Sequence, residues 1–486
     1  MEQPADPRAR RLFGGSARAL GDLAASPFRA DRDRIVGSPF FARLNGVTQV
    51  ISPGGSGLLV HNRLTHSLKV AQVARAIAER LTADPAHRRL LDELGHPPFG
   101  HLGERVLDRL ARQRLGLPDG FEGNAQSYRI VTSTEIRGAA TTGLDLTAAV
   151  RAALLKYPWT RLDHPDPHPR HLTPAPRGAA VPPDDPESGS AKFGAYRTEL
   201  ADLRQAREPF AGRIADWQQT VEASVMDTAD DIAYAIHDVE DFYRVGVLQQ
   251  GAVAAELMAW QREGGHLRAV TDAALTGAAR RPGSAIERLR RQLHRKDGWI
   301  AADDAFAAAV EHVRQELVEG LLAMPFDGSI EAEQYVARFS ARWTTRFVNA
   351  ITVVRRPSVR SGHVLLAPAQ WHEVQVLKFV HHRFVLARPD LALHQRGQAR
   401  LLGTLVEALW EWLLDPEEES RLPRRLHDLV ELAEAELHPR TADRIGRARG
   451  RAIVDFVAQL TDGQAVAMLD ALSGRSGALW TDAFVL

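Results

Sequence analysis

The chain has 486 residues, 44% of them hydrophobic and 25% charged, an ordinary globular composition with room for two or three domains. Its 61 Lys and Arg balance 61 Asp and Glu, so no global charge points to nucleic acid or to an anionic membrane. Cysteine is absent, which excludes disulfides, thiolate catalysis and Cys-based zinc sites and fits a reducing cytoplasm.

In chain order, residues 1–28 form an N-terminal arm, "MEQPADPRARRLFGG…", with basic residues but no apolar core. It does not read as a signal peptide, and no run of 18 apolar residues marks a membrane span. "VTQVISPGGSGLLV" (47–60) places two short β-rich runs around Pro-Gly-Gly and predicts a hairpin. Its "GGSG" lacks the GxxxxGK[ST] pattern and reads as a turn. Leu64, Leu68, Ala71, Ala74, Ala78 and Leu81 recur at three- and four-residue steps, an apolar helical stripe. His66 opens that helix, with Arg63 three residues before it as a donor suited to phosphate.

The Pro-, Asp-, Ser- and Gly-rich stretch 162–191 predicts a disordered insertion in which His164, His168 and His171 are solvated. "SVMDTADDIAYAIHDVEDFYRVG" then gives a helix with a buried stripe of Met226, Ala229, Ala233, Ile236, Val239 and Tyr243. Asp230, Tyr234, Asp238 and Asp241 fall on one face, and Asp227, Asp231, His237 and Glu240 crowd the same turns. So many acids beside an apolar stripe need cations or donors as partners. Segments 248–350 and 392–472 read as helical, and His381-His382, lacking HExxH spacing, read as helix surface.

Taken together, "NRLTHSLKVAQVARAIA" (62–78), "LGHPPFGHLGERVL" (94–107), "GFEGNAQSYRI" (120–130), "LLKYPW" (154–159), "KFG" (192–194) and "MDTADDIAYAIHDVED" (226–241) resemble the HD-domain deoxynucleoside triphosphate triphosphohydrolases, the dGTPase-like family. "RADRDRIVGSPFFARLNGVTQV" (29–50) adds to the match, which covers the first half of the chain in order. The resemblance implies a mainly α fold with a small N-terminal β-hairpin. An HD-type catalytic domain would span 29–161 and 192–260, and a helical C-terminal region (261–486) would pack on it. It implies hydrolysis of a dNTP, dGTP first, to a deoxynucleoside and tripolyphosphate by a homo-oligomer with a divalent metal, Mg²⁺ or Mn²⁺. By motif, His66 and Asp230 resemble metal ligands, and Arg63 the arginine on the triphosphate. His101, Glu104 and His96 resemble the catalytic, phosphate-facing group. Tyr234 and Asp238 resemble the residues that hold deoxyribose, and Asn124 and Gln126 lie in a motif lining the substrate pocket. The motifs disfavour a cyclic-nucleotide or (p)ppGpp hydrolase.

One motif departs from the family. Where its members read His-Asp-Leu-Gly-His-Pro-Pro-Phe-Gly-His, "LLDELGHPPFGH" puts Asp92 for the His and Glu93 for the Asp. Either the pair is a local substitution that gives oxygen ligands, or a helix and loop of roughly 15–20 residues carrying His-Asp has been deleted. Only the fourteen residues 82–95 separate the Leu81 helix end from His96, and this spacing favours deletion. Deletion implies weak metal binding and, as an alternative function, a catalytically weak or inactive dNTP-binding or subunit-partner homologue.

Overall fold

The computed structural model describes residues 6–13, 26–50, 60–81, 99–138, 141–165, 171–180, 189–278 and 280–476. It is mainly α. Among the described residues, strands form two small antiparallel sheets, Ile136–Gly138 with Thr141–Thr142 and Ile351–Val353 with Val364–Leu366. Of the hairpin expected at 47–60, residues 51–59 lie outside the described residues; at its base Thr48 and Asn62 form an antiparallel bridge.

Two helices position the site. Val221–Arg244 begins at Thr220, whose side chain accepts from the Ala223 N–H. All six residues of its predicted stripe are buried. Arg63–Leu81 packs beside it, but on a face rotated from the predicted one: Val70, Val73 and Ile77 are buried while Leu68 is 49% exposed. The helix carries two apolar rows, and only its neighbours decide which faces the larger core. Leu64, on the other row, packs against a smaller cluster that includes Phe40 and Phe41.

The larger core runs without a break from Val70 through Ile236 and Trp260 to Phe306, Trp343 and Leu391. The expected boundary at 260 therefore does not divide the packing, because residues 261–391 complete the core that the site helices begin. A second core joins the Gly100–Gln113 helix to Pro389–Leu414 and Arg444–Gln459.

The disordered insertion expected at 162–191 needs correction where it is described. Ala179 is fully buried, the Lys192 N–H donates to Gly178 O (3.0 Å), and Arg360 Nη1 donates to Ala175 O (3.0 Å). His164 likewise engages Ser190 Oγ through Nε2 (2.7 Å). Proline lowers the entropy cost of ordering, and these polar anchors replace the apolar burial that the composition lacks. Among the described residues no helix is long and apolar enough to cross a membrane.

Candidate active site

The helical register of 221–244 puts Asp230, Tyr234, Asp238 and Asp241 along one side, and each meets a group from elsewhere in the chain. Asp230 Oδ1 lies 3.3 Å from Nε2 of the buried His66. Lys156 Nζ reaches Asp227 Oδ1 at 2.7 Å and Asp230 Oδ2 at 3.5 Å, and Gln219 steadies both Lys156 O and Asp227 Oδ2 at 3.1 Å. Burial opposes charge on Asp230, but Lys156 and then His66 outweigh it and hold the carboxyl well below the usual carboxylate range. Lys378 pairs with Asp231, Lys69 with Glu240 (3.2 Å), and His61 Nδ1 with Asp241 (2.7 Å). The partners that the acid-rich helix required are thus present.

Behind His66 the rings continue. His237 stands edge-on to His66 (centroids 5.9 Å) and stacks on His61 (5.0 Å). Burial, reinforced by Lys69 and the two neighbouring imidazoles, lowers the His237 pKa well below its ordinary value and keeps the ring neutral. One turn after Asp230, the Tyr234 hydroxyl is hydrogen-bonded to His381 Nδ1 (2.8 Å); Asp238 Oδ2 lies 2.8 Å from the same nitrogen without hydrogen-bond alignment. Burial and the Asp238 charge push the Tyr234 hydroxyl well above its usual range, so it stays a neutral donor.

A second group centres on Lys192. Its Nζ contacts Glu122 Oε1 at 2.7 Å and Glu104 Oε2 at 3.5 Å, and Glu104 Oε2 meets His101 Nδ1 at 3.0 Å. Glu122 also caps the Gly123–Arg129 helix, accepting from the Asn124 and Ala125 N–H groups, and takes the Asn124 amide at 2.9 Å. Gly120 precedes it with φ +61°, where a Cβ would strike Asp108 and Arg161, so the motif needs glycine there to bring Glu122 in. Burial works against the Lys192 charge, but Glu122 and Glu104 more than offset it and raise its pKa. Tyr157, raised to about 12 chiefly by burial, feels Lys156 and Asp227 as well as Lys192 and Glu122, and so joins the two groups.

Comparison with known proteins now bears on this geometry. A family model described as a phosphohydrolase-associated domain matches residues 364–471. The chain is 32% identical to the deoxyguanosinetriphosphate triphosphohydrolase-like protein of Streptomyces coelicolor, over 92% of this chain and 93% of that protein. The protein of the same description from Bifidobacterium longum is 30% identical over 91% of this chain and 82% of its own length. The chain belongs to the deoxyguanosinetriphosphate triphosphohydrolase-like family. A Mesorhizobium japonicum member is 38% identical over 47% of the chain.

Of the site residues expected from the family motifs, His66 and Asp230 meet, Tyr234 and Asp238 gather at His381, and His101 pairs with Glu104. Arg63 is buried, and its charge is felt at Tyr234. Asp92, Glu93 and His96 lie outside the described residues. Gln126 departs from expectation. Fully buried, it donates to Asp455 Oδ1 (3.0 Å) and accepts from the Tyr196 hydroxyl (3.0 Å), so it holds structure rather than lining a pocket. His381 was expected on a helix surface and is instead buried at the site; its neighbour His382 is the exposed one.

Reasoning from sequence passed over Lys156, Lys192 and Lys378, although a signal was available. The chain has only five lysines, and four of them, Lys69, Lys156, Lys192 and Lys378, pair with carboxylates of these two groups. In an arginine-rich chain, lysine retained at four such places marks positions that use a compact, mobile point charge rather than a rigid fork.

Proposed function

We propose that the chain hydrolyses a deoxynucleoside triphosphate, dGTP first among them, to a deoxynucleoside and tripolyphosphate. The observation that carries this reading is one helix face on which Asp230 meets His66 while Tyr234 and Asp238 follow one and two turns on. An imidazole nitrogen and a carboxylate oxygen in a buried wall suit a divalent cation such as Mg²⁺ or Mn²⁺. His66 and Asp230 would hold it, with Asp92 and Glu93 as possible substitutes for the missing His-Asp pair. Bound there, the metal supplies Lewis acidity at a phosphoryl oxygen and orients water.

The protein's own groups supply the rest. Water oxygen bonds to the α-phosphorus and releases a proton to solvent, the bond from that phosphorus to O5′ breaks, and O5′ needs a proton. His101 would give it, with Glu104 Oε2 at its Nδ1 (3.0 Å) to orient the ring. Lys192 stands 3.5 Å from Glu104 and would help to position it for that task. Lys156 and Arg63 neutralise phosphate charge. The Tyr234 ring and Asp238 close on the deoxyribose, and the ring leaves little room for a 2′-hydroxyl.

Among the described residues no group of three or more His, Asp or Glu side chains could hold a metal. With His66 and Asp230 as its ligands the metal would bind weakly and turnover would be slow. The spacing before Leu94, which favours deletion of the His-Asp segment, favours as second reading a non-catalytic dNTP-binding or subunit-partner protein. Assembly as a homo-oligomer in the cytoplasm belongs to the same family reading. Anion-exchange analysis after incubation with dGTP and Mn²⁺ separates the two: tripolyphosphate release supports the hydrolase, and dGTP binding without any release supports the partner.

A further inference from the structure

Pro158 and Trp159, next in the chain after Lys156 and Tyr157, line a cleft of about 800 Å³ with the Leu200–Arg207 helix, part of it open to solvent. Pro165, Leu200, Leu203 and Ala211 extend its apolar wall, and Arg204 and Arg207, one helical turn apart, bring positive charge to it. Arg207 is only 7% exposed. Its Nη2 donates to Ala215 O (2.9 Å), while its Nε and Nη1 are buried with no hydrogen-bond partner among the described residues. Burial pulls its pKa down to about 10, with the Asp216 charge opposing, so it stays a cation at neutral pH. Arg204 is exposed and has no ion-pair partner among the described residues. Of the three acids in the cleft, Glu208 is taken by Arg10 and Asp163 lies 3.5 Å from Arg197, whereas Asp216 is exposed.

A guanidinium buried without a counter-charge destabilises a fold, and an anion supplied from outside offsets that cost. The acids nearby repel an ion of high charge, and the tryptophan and aliphatic wall favours an organic body. One carboxylate on a small apolar or aromatic group meets both conditions, because its two oxygens match the guanidinium fork. Ala211, Ala215 and Asp216 beside Arg207 lie in an exposed turn, so a carboxylate reaches the guanidinium by displacing Ala215 O and leaves the helical core closed.

We propose that this cleft binds a small organic monocarboxylate through Arg207 and Arg204, with Trp159 against its apolar part. Binding there needs neither metal nor turnover and stands whether or not the chain hydrolyses dGTP.

Calorimetric titration of the full chain with phenylacetate, without metal or nucleotide, provides the test. The parent should bind with a Kd of about 1 mM or tighter. Arg207→Met should weaken binding by about tenfold or more, Arg207→Lys should recover part of the loss, and Arg204→Gln should weaken binding by a smaller factor. Phenylacetamide, which has the same shape without the charge, should bind far more weakly. Thermal melting should show Arg207→Met no less stable than the parent, because it removes an unpaired buried charge at similar volume. Where that variant does not fold, the phenylacetamide comparison and Arg204→Gln decide. Absence of saturable binding by the parent would overturn the proposal, as would parent-like affinity in folded Arg207→Met or equal binding of phenylacetamide. Displacement of phenylacetate by inorganic phosphate would overturn it too, since the cleft would then select charge alone.

Discussion

Two clusters of charge use the same residue types and end in opposite conditions. On the 221–244 helix, acids face lysines and histidines, and the side chain of Asp230 keeps 25% of its exposure. Around Arg129, in the Gly123–Arg129 helix, the cluster is closed except at Glu436. Its guanidinium meets Asp455 at 2.7 Å, Glu199 at 2.6 Å and Glu436 at 2.9 Å, and neither Arg129 nor Asp455 is exposed at all. Burial opposes the Arg129 charge, yet the three carboxylates raise its pKa well above the ordinary value. The open cluster pairs through single lysine and histidine charges. The sealed one turns each nitrogen of an arginine to a different carboxylate and ties the 123–129 helix to Asp455, Glu199 and Glu436. In the proposed hydrolase, charge in the first would serve chemistry, while charge in the second serves architecture.

The sharpest way to break this comparison is Arg129→Ala. It leaves buried carboxylates without a partner, so urea unfolding should show a loss of about 3–5 kcal/mol. An unchanged midpoint would mean that the sealed cluster does not hold the two helices together.

Lys192→Met tests the other side. Lys192 touches no substrate in this account but positions Glu104, and through it His101. Turnover should fall by about ten- to a hundredfold with little change in KM. Lys192→Arg should recover part of it, and melting should fall less than for Arg129→Ala, because Glu122 keeps the Asn124 and Ala125 N–H donors. A large stability loss with unchanged kcat would place Lys192 with the structural cluster.

Tyr234→Ala comes next. Preference for dGTP over GTP should narrow by about tenfold, in line with the 1–3 kcal/mol that small steric discrimination supplies. Equal calorimetric binding of the two nucleotides by the parent would remove the sugar role from Tyr234.

His237 sits between the two conditions, buried yet in contact with His66. Its folded pKa lies well below the ordinary 6.5, so below that pH the unfolded chain takes up a proton that the folded chain refuses. Stability from this group is complete above 6.5 and is lost as pH falls, by about 1.4 kcal/mol per unit. Melting of the parent between pH 7.5 and 5.5 should therefore drop more than that of His237→Phe; parallel curves would contradict a neutral His237.

The contrast also explains what could be read in advance. The acid face of 221–244 is local, with residues one turn apart, and the family motifs name Asp230, Tyr234 and Asp238 within it. Two partners of Arg129, Glu199 and Asp455, come from 70 and 326 residues away, and His381 reaches Tyr234 across 147, distances over which spacing carries no signal. The misread face of 63–81 has a different cause: a helix between two apolar neighbours shows two stripes, and periodicity alone cannot rank them. Gln126 misled because its motif is shared with the pocket while its own side chain turns to Asp455.

The proposed hydrolase depends on His66 and Asp230 as a metal site limited by the missing His-Asp pair. The most direct measurement is Mn²⁺-dependent tripolyphosphate release from dGTP by a chain in which a helix-and-loop segment ending in His-Asp is inserted before Leu94, with and without Asp230→Ala. The account predicts that release rises well above that of the uninserted chain and disappears with Asp230→Ala, while Asp92→Ala and Glu93→Ala in the uninserted chain change little. Release that survives Asp230→Ala, or robust activity of the uninserted chain abolished by Asp92→Ala and Glu93→Ala, would contradict it.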